Sequence, residues 1–109
     1  MRNKFNARKV NIDGFQFDSA AEANRYGELK LLERAGEIER LQVHPRFAIE
    51  MNGTKICVVE LDFSFFDTAK EMTRYIDVKG VDTALSKLKR KLIKAAYAIE
   101  VEVEKGKHS

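Results

Sequence analysis

Two short apolar stretches, each interrupted by an acidic residue, constrain the fold of this chain more than any other feature. Residues 59–66 and 74–80 are rich in aromatic and branched side chains, which predicts two buried strands. The first carries Asp62, and the second carries Asp77 on the same strand face as Lys79, because side chains alternate across a strand. A buried carboxylate is costly unless a cation or hydrogen bonds compensate it. Two such residues on adjacent strands therefore indicate a site for a divalent metal ion.

Size and composition predict a single domain that spans residues 1–109. The chain has 109 residues, of which 44% are hydrophobic, and this is enough for one modest core. No apolar run approaches the length of a membrane span and no signal peptide is recognisable, so we expect a cytoplasmic protein with no membrane partner. The single cysteine, Cys57, excludes an intramolecular disulfide and is interpreted as a core residue. His44 and His108 have no cysteine partner, which argues against a zinc site.

The positive charge of the chain is concentrated near its two ends. The formal net charge is +3, yet residues 1–9 contain four basic and no acidic residues, and residues 81–97 contain five basic residues and one acidic residue. Basic ends around an acidic middle suit a protein that holds nucleic-acid phosphates around a carboxylate site, although a solvated tail and a solvated helix face would give the same pattern. We expect residues 1–7 and 105–109 to be flexible. The predicted phosphate-binding residues are Arg2, Lys4, Arg8, Lys9, Arg25, Lys87, Lys89, Arg90, Lys91 and Lys94.

The predicted elements follow the order hairpin, helix, three strands, helix and strand. Asp13–Gly14 predicts a tight turn within a hairpin over residues 8–18, and Asn52–Gly53 predicts a second turn. Gly36 is a favourable residue directly after a helix over residues 19–35. Together the elements predict an α/β fold with a mixed central β-sheet flanked by helices. The remaining elements are strands over 41–43, 47–51, 54–66 and 72–79, a bend at His44–Pro45, a helix over 83–97 and an edge strand over 99–103.

Each helix has a face that is predicted to pack on the sheet. In the first helix Glu22, Tyr26 and Leu29 follow one another at helical spacing, which directs the carboxylate of Glu22 towards the sheet. Ser19 and Glu22 also fit a capping box, in which Glu22 has only a structural role, so both interpretations of Glu22 stay open. Lys89 lies beside the apolar stripe of the second helix and either extends its ammonium group to solvent or reaches a phosphate. That stripe consists of Leu85, Leu88, Leu92 and Ala96.

The acidic residues, taken together, predict phosphodiester hydrolysis assisted by Mg²⁺. Magnesium prefers hard oxygen ligands, so Asp62 and Asp77 would bind it directly, with the carbonyl of Val78 as a further ligand. Glu22 would bind a second ion or hold a water molecule. Lys79 would orient the attacking water or stabilise the phosphate oxygens by its charge. The competing interpretation is that Asp77 and Lys79 form an ion pair on an exposed strand.

The order of a glutamate on a first helix, an aspartate on a strand and Asp-x-Lys on the next strand resembles the PD-(D/E)xK nucleases, the restriction-endonuclease-like superfamily. The chain is also similar, over residues 8–103, to a small phage-encoded nuclease family catalogued as a domain of unknown function and related to Holliday-junction resolvases and to transposition endonucleases. The segments that carry this similarity are 17–19, 22–26, 28–33, 35–38, Gln42, 45–47, 77–80 and 88–92.

The resemblance implies a restriction-endonuclease-like core and dependence on Mg²⁺, with Mn²⁺ as the alternative ion. It also implies catalytic roles for Glu22, Asp62, Asp77 and Lys79. Two positions depart from the family pattern. Leu61 stands where a proline usually precedes the first aspartate, and Asp77 stands where glutamate is the commoner residue.

These features predict a metal-dependent DNA endonuclease, most closely a structure-selective Holliday-junction resolvase in the cytoplasm of a bacterial or phage-infected cell. Two alternatives stay open: a transposition-type or general endonuclease that works with a DNA-reading partner, and a nucleic-acid-binding module without catalytic activity. Because no base-reading motif is recognisable, we expect selectivity for branched DNA. Two symmetric nicks need two sites, so we expect a homodimer. Its predicted interface consists of exposed apolar residues of the hairpin (Val10, Ile12, Phe15, Phe17) and of the last strand (Ile99, Val101, Val103).

Overall fold

The computed structural model describes residues 9–106, and these form an α/β fold with ten elements. A mixed four-stranded sheet is flanked by two helices, and a two-stranded hairpin precedes it, as the sequence predicts. No helix of this part of the chain is both long and apolar enough to cross a membrane. The elements are β1 (Val10–Ile12), β2 (Phe15–Phe17), α1 (Ala20–Arg34), β3 (Ile38–Val43), β4 (Arg46–Met51), β5 (Thr54–Glu60), β6 (Phe63–Asp67), β7 (Met72–Lys79), α2 (Ala84–Tyr97) and β8 (Val101–Lys105).

The strand order of the main sheet is β3-β6-β7-β8. β6 lies antiparallel to both β3 and β7, whereas β7 and β8 are parallel. A parallel pair needs a crossover connection, and α2 provides it. β8 lies at one edge of the sheet, as expected, but it begins at Val101 and continues through Lys105. Gly106 then donates a backbone hydrogen bond to the carbonyl of Lys79 at 2.9 Å, so the expected flexible tail does not begin at Lys105.

The remaining two strands extend β3 and β6 into a bent arm. β4 pairs with β5 in a separate two-stranded sheet, and the bend falls at His44–Pro45 on one side and at Leu61–Asp62 on the other. His44 has a positive φ of 57°, and Pro45 lacks the N–H that a continuous ladder needs. The prediction of one uninterrupted strand over residues 54–66 is therefore wrong. The strand breaks at Asp62 because its partner strand bends opposite it.

The larger of the two hydrophobic cores lies between α1 and the main sheet. Tyr26 and Leu29 of α1 are buried, as the helical spacing predicts, and they pack with Phe63, Phe65 and Ile76 of the sheet. The N-terminal hairpin covers the same core from the side. Its turn at Asp13–Gly14 has the two positive φ angles (55° and 83°) that a tight hairpin turn requires.

Most of the predicted dimer-interface residues are occupied within this chain. Phe17 is fully buried in the larger core, and Val10 and Ile12 pack against it. Ile99 is buried in the second core. These four residues are therefore not available as an exposed interface, which leaves Phe15 and Val103 as the clearly exposed members of the predicted set.

The second, smaller core lies between α2 and the arm. Ile93 is fully buried there with Ile49, Val59, Leu61 and Ile99. The predicted buried stripe of α2 is wrong for Leu85 and Leu88, which are 59% and 51% exposed, and for Ala96, which is exposed as well, whereas Leu92 is partly buried against this core. The helix is turned so that the line through Ile93, about 80° around the helix from Leu85, faces the arm.

Two groups of predicted residues lie outside the part of the chain that the structure describes. One is the basic N-terminal segment, which contains Arg2, Lys4 and Arg8. The other is the end of the predicted tail, residues 107–109.

Candidate metal centre

Hydrogen bonds near the start of α1 hold both the backbone and the carboxylate of Glu22. The side-chain hydroxyl of Ser19 accepts a hydrogen bond from the backbone N–H of Glu22 at 3.1 Å, as an N-cap residue does. One carboxylate oxygen of Glu22 accepts the backbone N–H of Asp18 at 3.2 Å, and the other lies 2.9 Å from Nε2 of His44. Glu22 is only 5% exposed. The first half of the capping box is present, but the carboxylate of Glu22 accepts the N–H of Asp18 and not that of the N-cap Ser19, and its second oxygen faces His44.

Asp62 lies at the strand break and connects β6 to β7. Its Oδ2 accepts the backbone N–H of Val78 at 2.7 Å, and its own backbone N–H donates to Oδ1 of Asp77 at 3.0 Å. The backbone carbonyl of Asp62 accepts the N–H of His44 at 2.9 Å across the bend. The carboxylate is thus bound by one main-chain donor of the inner strand β7, and the backbone of Asp62 is bound on both of its sides.

Glu22, His44 and Asp62 form a cluster in which one possible ligand atom of each residue lies within 4.8 Å of the others. Glu22 and Asp62 were predicted from the sequence, but His44 was not. Its isolation from other histidines and cysteines gave no sign of a ligand. The proline after it marks the bend that turns its ring towards α1, and this is the only signal in the sequence that could have suggested its position.

Asp77 and Lys79 lie beside this cluster on β7. Asp77 is 5% exposed, and its Oδ2 lies 3.7 Å from Nζ of Lys79. β7 has a strand on each side, so the interpretation of these two residues as a pair on an exposed strand is wrong. Asp77 is not part of the three-residue cluster, and it reaches Asp62 through the backbone hydrogen bond instead. The contact of Val78 with the site is its backbone N–H, whereas the sequence suggested its carbonyl.

Burial disfavours the ionised form of both aspartates at the site, and neighbouring carboxylates add to this effect at Asp62. Burial raises the pKa of Asp62 to about 8, and repulsion from the carboxylates of Glu22 and Asp77 adds to this against the hydrogen bond from Val78. Burial also raises the pKa of Asp77, although the charge of Lys79 opposes the shift.

The pKa of Asp67, a buried aspartate at the end of β6, is shifted in the opposite direction. Hydrogen bonds from the backbone of Lys70 and from Arg74 hold the pKa of Asp67 below its usual value. Arg74 donates to Asp67 at 3.1 Å and also binds Glu102. The fold therefore supplies a cation to Asp67 at the end of β6, whereas Asp62, directly before β6, lies among further acids.

The comparison with known families agrees with the extent of this domain. A sequence model of the family described as a protein of unknown function (DUF1064) matches residues 2–106. The chain belongs to this family. Comparisons with curated proteins and with solved structures gave no match. The matched region contains Glu22, His44, Asp62, Asp77 and Lys79, so the whole site lies within the DUF1064 domain.

Several of the predicted phosphate-binding residues of this DUF1064 chain are paired with acids. Arg25 binds Glu104 through two hydrogen bonds, of 2.8 and 3.0 Å, and also binds Glu28. Arg90 makes a two-pronged contact with Asp82 at 2.8 and 2.7 Å. Such pairs lower the charge that is available to a phosphate. Lys9 and Lys94 also contact acids, Asp18 and Glu100 respectively, but both lysines are largely exposed.

Three lysines of α2 have no acidic partner within salt-bridge distance among residues 9–106. Lys87 and Lys91 are exposed, whereas Lys89 is partly buried. Among the predicted phosphate-binding residues of α2, Lys87 and Lys91 are therefore both exposed and without an acidic partner in the described part of the chain.

The substitution Asp62→Asn is expected to stabilise the metal-free protein at pH 8.5 and to have little effect at pH 5. Because the pKa of Asp62 is raised from 3.8 to about 8, the folded protein keeps a proton that the unfolded chain releases. The contribution of Asp62 to stability is thus full below about pH 4 and is lost as the pH rises through about 8. Asparagine does not ionise, so we expect a gain of about 1–3 kcal/mol in the free energy of unfolding at pH 8.5. Urea denaturation in EDTA at both pH values measures it, and a variant less stable than the parent at pH 8.5 contradicts the expectation.

Proposed function

We propose that this protein is a metal-dependent nuclease that hydrolyses phosphodiester bonds in DNA. The observation that carries the proposal is the direct link between two aspartates, in which the backbone N–H of Asp62 at the strand break donates to the carboxylate of the buried Asp77 at 3.0 Å. The carboxylate of Glu22 lies on one side of this pair and the ammonium group of Lys79 on the other. The resemblance of the same four residues to the PD-(D/E)xK pattern supports the proposal.

The residues at the site fit a divalent cation. Two carboxylates and an imidazole offer ligand atoms within 4.8 Å of one another. Burial and the repulsion from Glu22 and Asp77 raise the pKa of Asp62, and a cation at this position would offset both effects. Glu22, Asp62 and His44 would hold the ion, with Asp77 next to them. When bound, a divalent cation lowers the pKa of a water molecule and offsets the charge that develops on a scissile phosphate.

The protein's own groups have separate tasks in this proposal. The N–H groups of Asp18 and Val78 orient the carboxylates of Glu22 and Asp62, so that both present a fixed oxygen to the site. Asp77 holds the backbone of Asp62 and keeps the ammonium group of Lys79 nearby. Lys79 contributes positive charge where the phosphate oxygens become more negative, and stabilisation of this kind is worth most in a partly buried site.

For the substrate we propose branched DNA, most closely the four-way junction. Exposed ammonium groups can contact phosphates but do not distinguish bases, and four lysines supply them: Lys9, Lys87, Lys91 and Lys94. Selectivity would therefore come from the positions of the phosphates. A homodimer would place two identical sites for two nicks. The edge strand β8, on which Val103 is exposed, is the surface of the described chain that we propose for pairing of two copies.

A cleavage assay across substrate shapes tests the proposed function. Labelled duplex, single-stranded, flap and four-way DNA are incubated with the protein in EDTA, Mg²⁺ or Mn²⁺ under single-turnover conditions, and light scattering gives the oligomeric state. We expect cleavage only with a divalent ion and fastest on the four-way junction. Equal rates on plain duplex by a monomer would reject the resolvase and leave a general endonuclease. Binding without cleavage of any substrate would favour a nucleic-acid-binding module.

The substitution Glu22→Gln separates the capping role of this residue from its role in the site. Glutamine can still accept the N–H of Asp18, so we expect the free energy of unfolding to change by less than about 1 kcal/mol. Loss of the carboxylate should reduce the cleavage rate by about 100-fold or more. Glu28→Gln, the same change on an exposed part of α1, is the matched control and should keep the parental rate. Unchanged activity of Glu22→Gln would remove Glu22 from the site.

A further inference from the structure

We infer that His44 is a direct metal ligand and that it makes the site select Mn²⁺, as a representative first-row transition ion, over Mg²⁺. The inference rests on the proposed metal-dependent function, because it concerns the ion at the same site. The observation behind it is that Nε2 of His44 lies 2.9 Å from Glu22, and that a ring nitrogen of His44 lies within 4.8 Å of carboxylate oxygens of both Glu22 and Asp62. The ring thus presents a nitrogen to the position that two carboxylates surround.

The fold holds His44 in this place through its backbone and its ring. The residue has a left-handed backbone conformation, with φ at 57°, and its N–H donates to the carbonyl of Asp62 at 2.9 Å. The aromatic ring of Phe17, which is fully buried, lies beside the imidazole with 5.7 Å between the ring centroids. Histidine, like asparagine and aspartate, is enriched among the non-glycine residues that adopt this conformation, so the bend accommodates His44.

The chemistry of an imidazole ligand favours transition ions over magnesium. Mg²⁺ binds hard oxygen ligands and gives up its water molecules reluctantly, so a nitrogen ligand adds little to its affinity. First-row transition ions accept both imidazole nitrogen and carboxylate oxygen as ligands. Mn²⁺ is the ion of this series that best suits sites made mainly of oxygen ligands. Two carboxylates and one imidazole, the set formed by Glu22, Asp62 and His44, therefore match Mn²⁺ better than Mg²⁺.

The test compares the binding of the two ions to the parent and to His44→Asn by isothermal titration calorimetry, without DNA. Asparagine tolerates the left-handed conformation at this position, and His44→Gly serves as a second variant that removes the side chain altogether. We expect the parent to bind Mn²⁺ at least about tenfold more tightly than Mg²⁺. His44→Asn should lose about tenfold or more in Mn²⁺ affinity and less than about threefold in Mg²⁺ affinity. Melting in EDTA checks that both variants fold.

A spectroscopic measurement and a carboxylate variant make the result specific to the imidazole. Pulsed electron paramagnetic resonance of the Mn²⁺-bound parent should show coupling to a histidine nitrogen, and His44→Asn should lose that coupling. Glu22→Gln should weaken both ions together, because it removes an oxygen ligand that either ion uses. Mn²⁺ binding without nitrogen coupling, or equal losses of both ions in His44→Asn, would overturn the role of His44 and leave the nuclease proposal standing. No binding of either ion to the parent would overturn both.

Discussion

Asp62→Asn and Asp77→Asn are each expected to reduce metal-dependent cleavage of DNA by about 1,000-fold or more, while the fold and DNA binding stay nearly intact. Asparagine has the shape of aspartate and can still accept the N–H of Val78 at position 62, or that of Asp62 at position 77. It removes the charge that would hold the ion at position 62 and the charge that pairs with Lys79 at position 77. Single-turnover rates and DNA affinity on the same preparations measure the two effects.

Asp18→Asn provides the matched control for both variants. It makes the same chemical change on an exposed carboxylate directly before α1, where the backbone N–H that binds Glu22 is left in place. We expect this variant to cleave at the parental rate. If Asp62→Asn or Asp77→Asn retains more than a tenth of the parental rate, the assignment of that residue to the site is wrong. A loss of rate together with a loss of folding in circular dichroism would also count against the assignment.

The local elements of the fold could be predicted because their signals are local. The bounds of β7 coincide with the predicted residues 72–79, α1 begins after the predicted cap Ser19, and α2 lies within the predicted residues 83–97. The turns at Asp13–Gly14 and Asn52–Gly53 have the positive φ angles that these dipeptides favour. In each case a few neighbouring residues decide the backbone conformation, so the surrounding structure adds little to the outcome.

The strand break at Leu61–Asp62 could not be predicted, because its cause lies in another segment. Residues 54–66 contain no proline, and their only glycine-bearing turn precedes them. The bend is imposed by Pro45 and by the left-handed conformation of His44 on the paired strand. Strict alternation along residues 59–66 would also have given Asp62 a different direction. The part of the site that the sequence missed, His44, belongs to the same long-range feature.

The sequence also could not predict which side of α2 is buried. Leucines at helical spacing predict a buried face, but which line of a helix is buried depends on the shape of the surface that receives it. α2 packs on the narrow arm formed by β4 and β5, where Ile93 fills the space between the two strands and Ile99. The double contact between Arg90 and Asp82 favours the same rotation. Leu85 and Leu88 are not part of this core and stay exposed.

Lys79→Gln is expected to reduce the rate of cleavage by about 100-fold or more, with a much smaller effect on the affinity for metal ions. Nζ of Lys79 lies 3.7 Å from Asp77 and its side chain is partly exposed, so the charge is held near the carboxylates while it can still meet a phosphate. Glutamine has a similar length and polarity but carries no charge. If the role of Lys79 is to stabilise the phosphate oxygens, the loss belongs to the chemical step and appears in single-turnover rates at saturating protein.

The competing explanation for Lys79 is that it only neutralises the buried Asp77, and it predicts a different pattern. In that case Lys79→Gln would lower the stability of the protein in EDTA and leave the rate at saturating metal and DNA within about threefold of the parent. Lys55→Gln, the same change at an exposed position of β5, controls for the general loss of a positive charge. A large loss of rate in Lys79→Gln and a parental rate in Lys55→Gln would therefore assign the effect to the position of the ammonium group beside Asp77. Parental rates in both variants would exclude Lys79 from the chemistry.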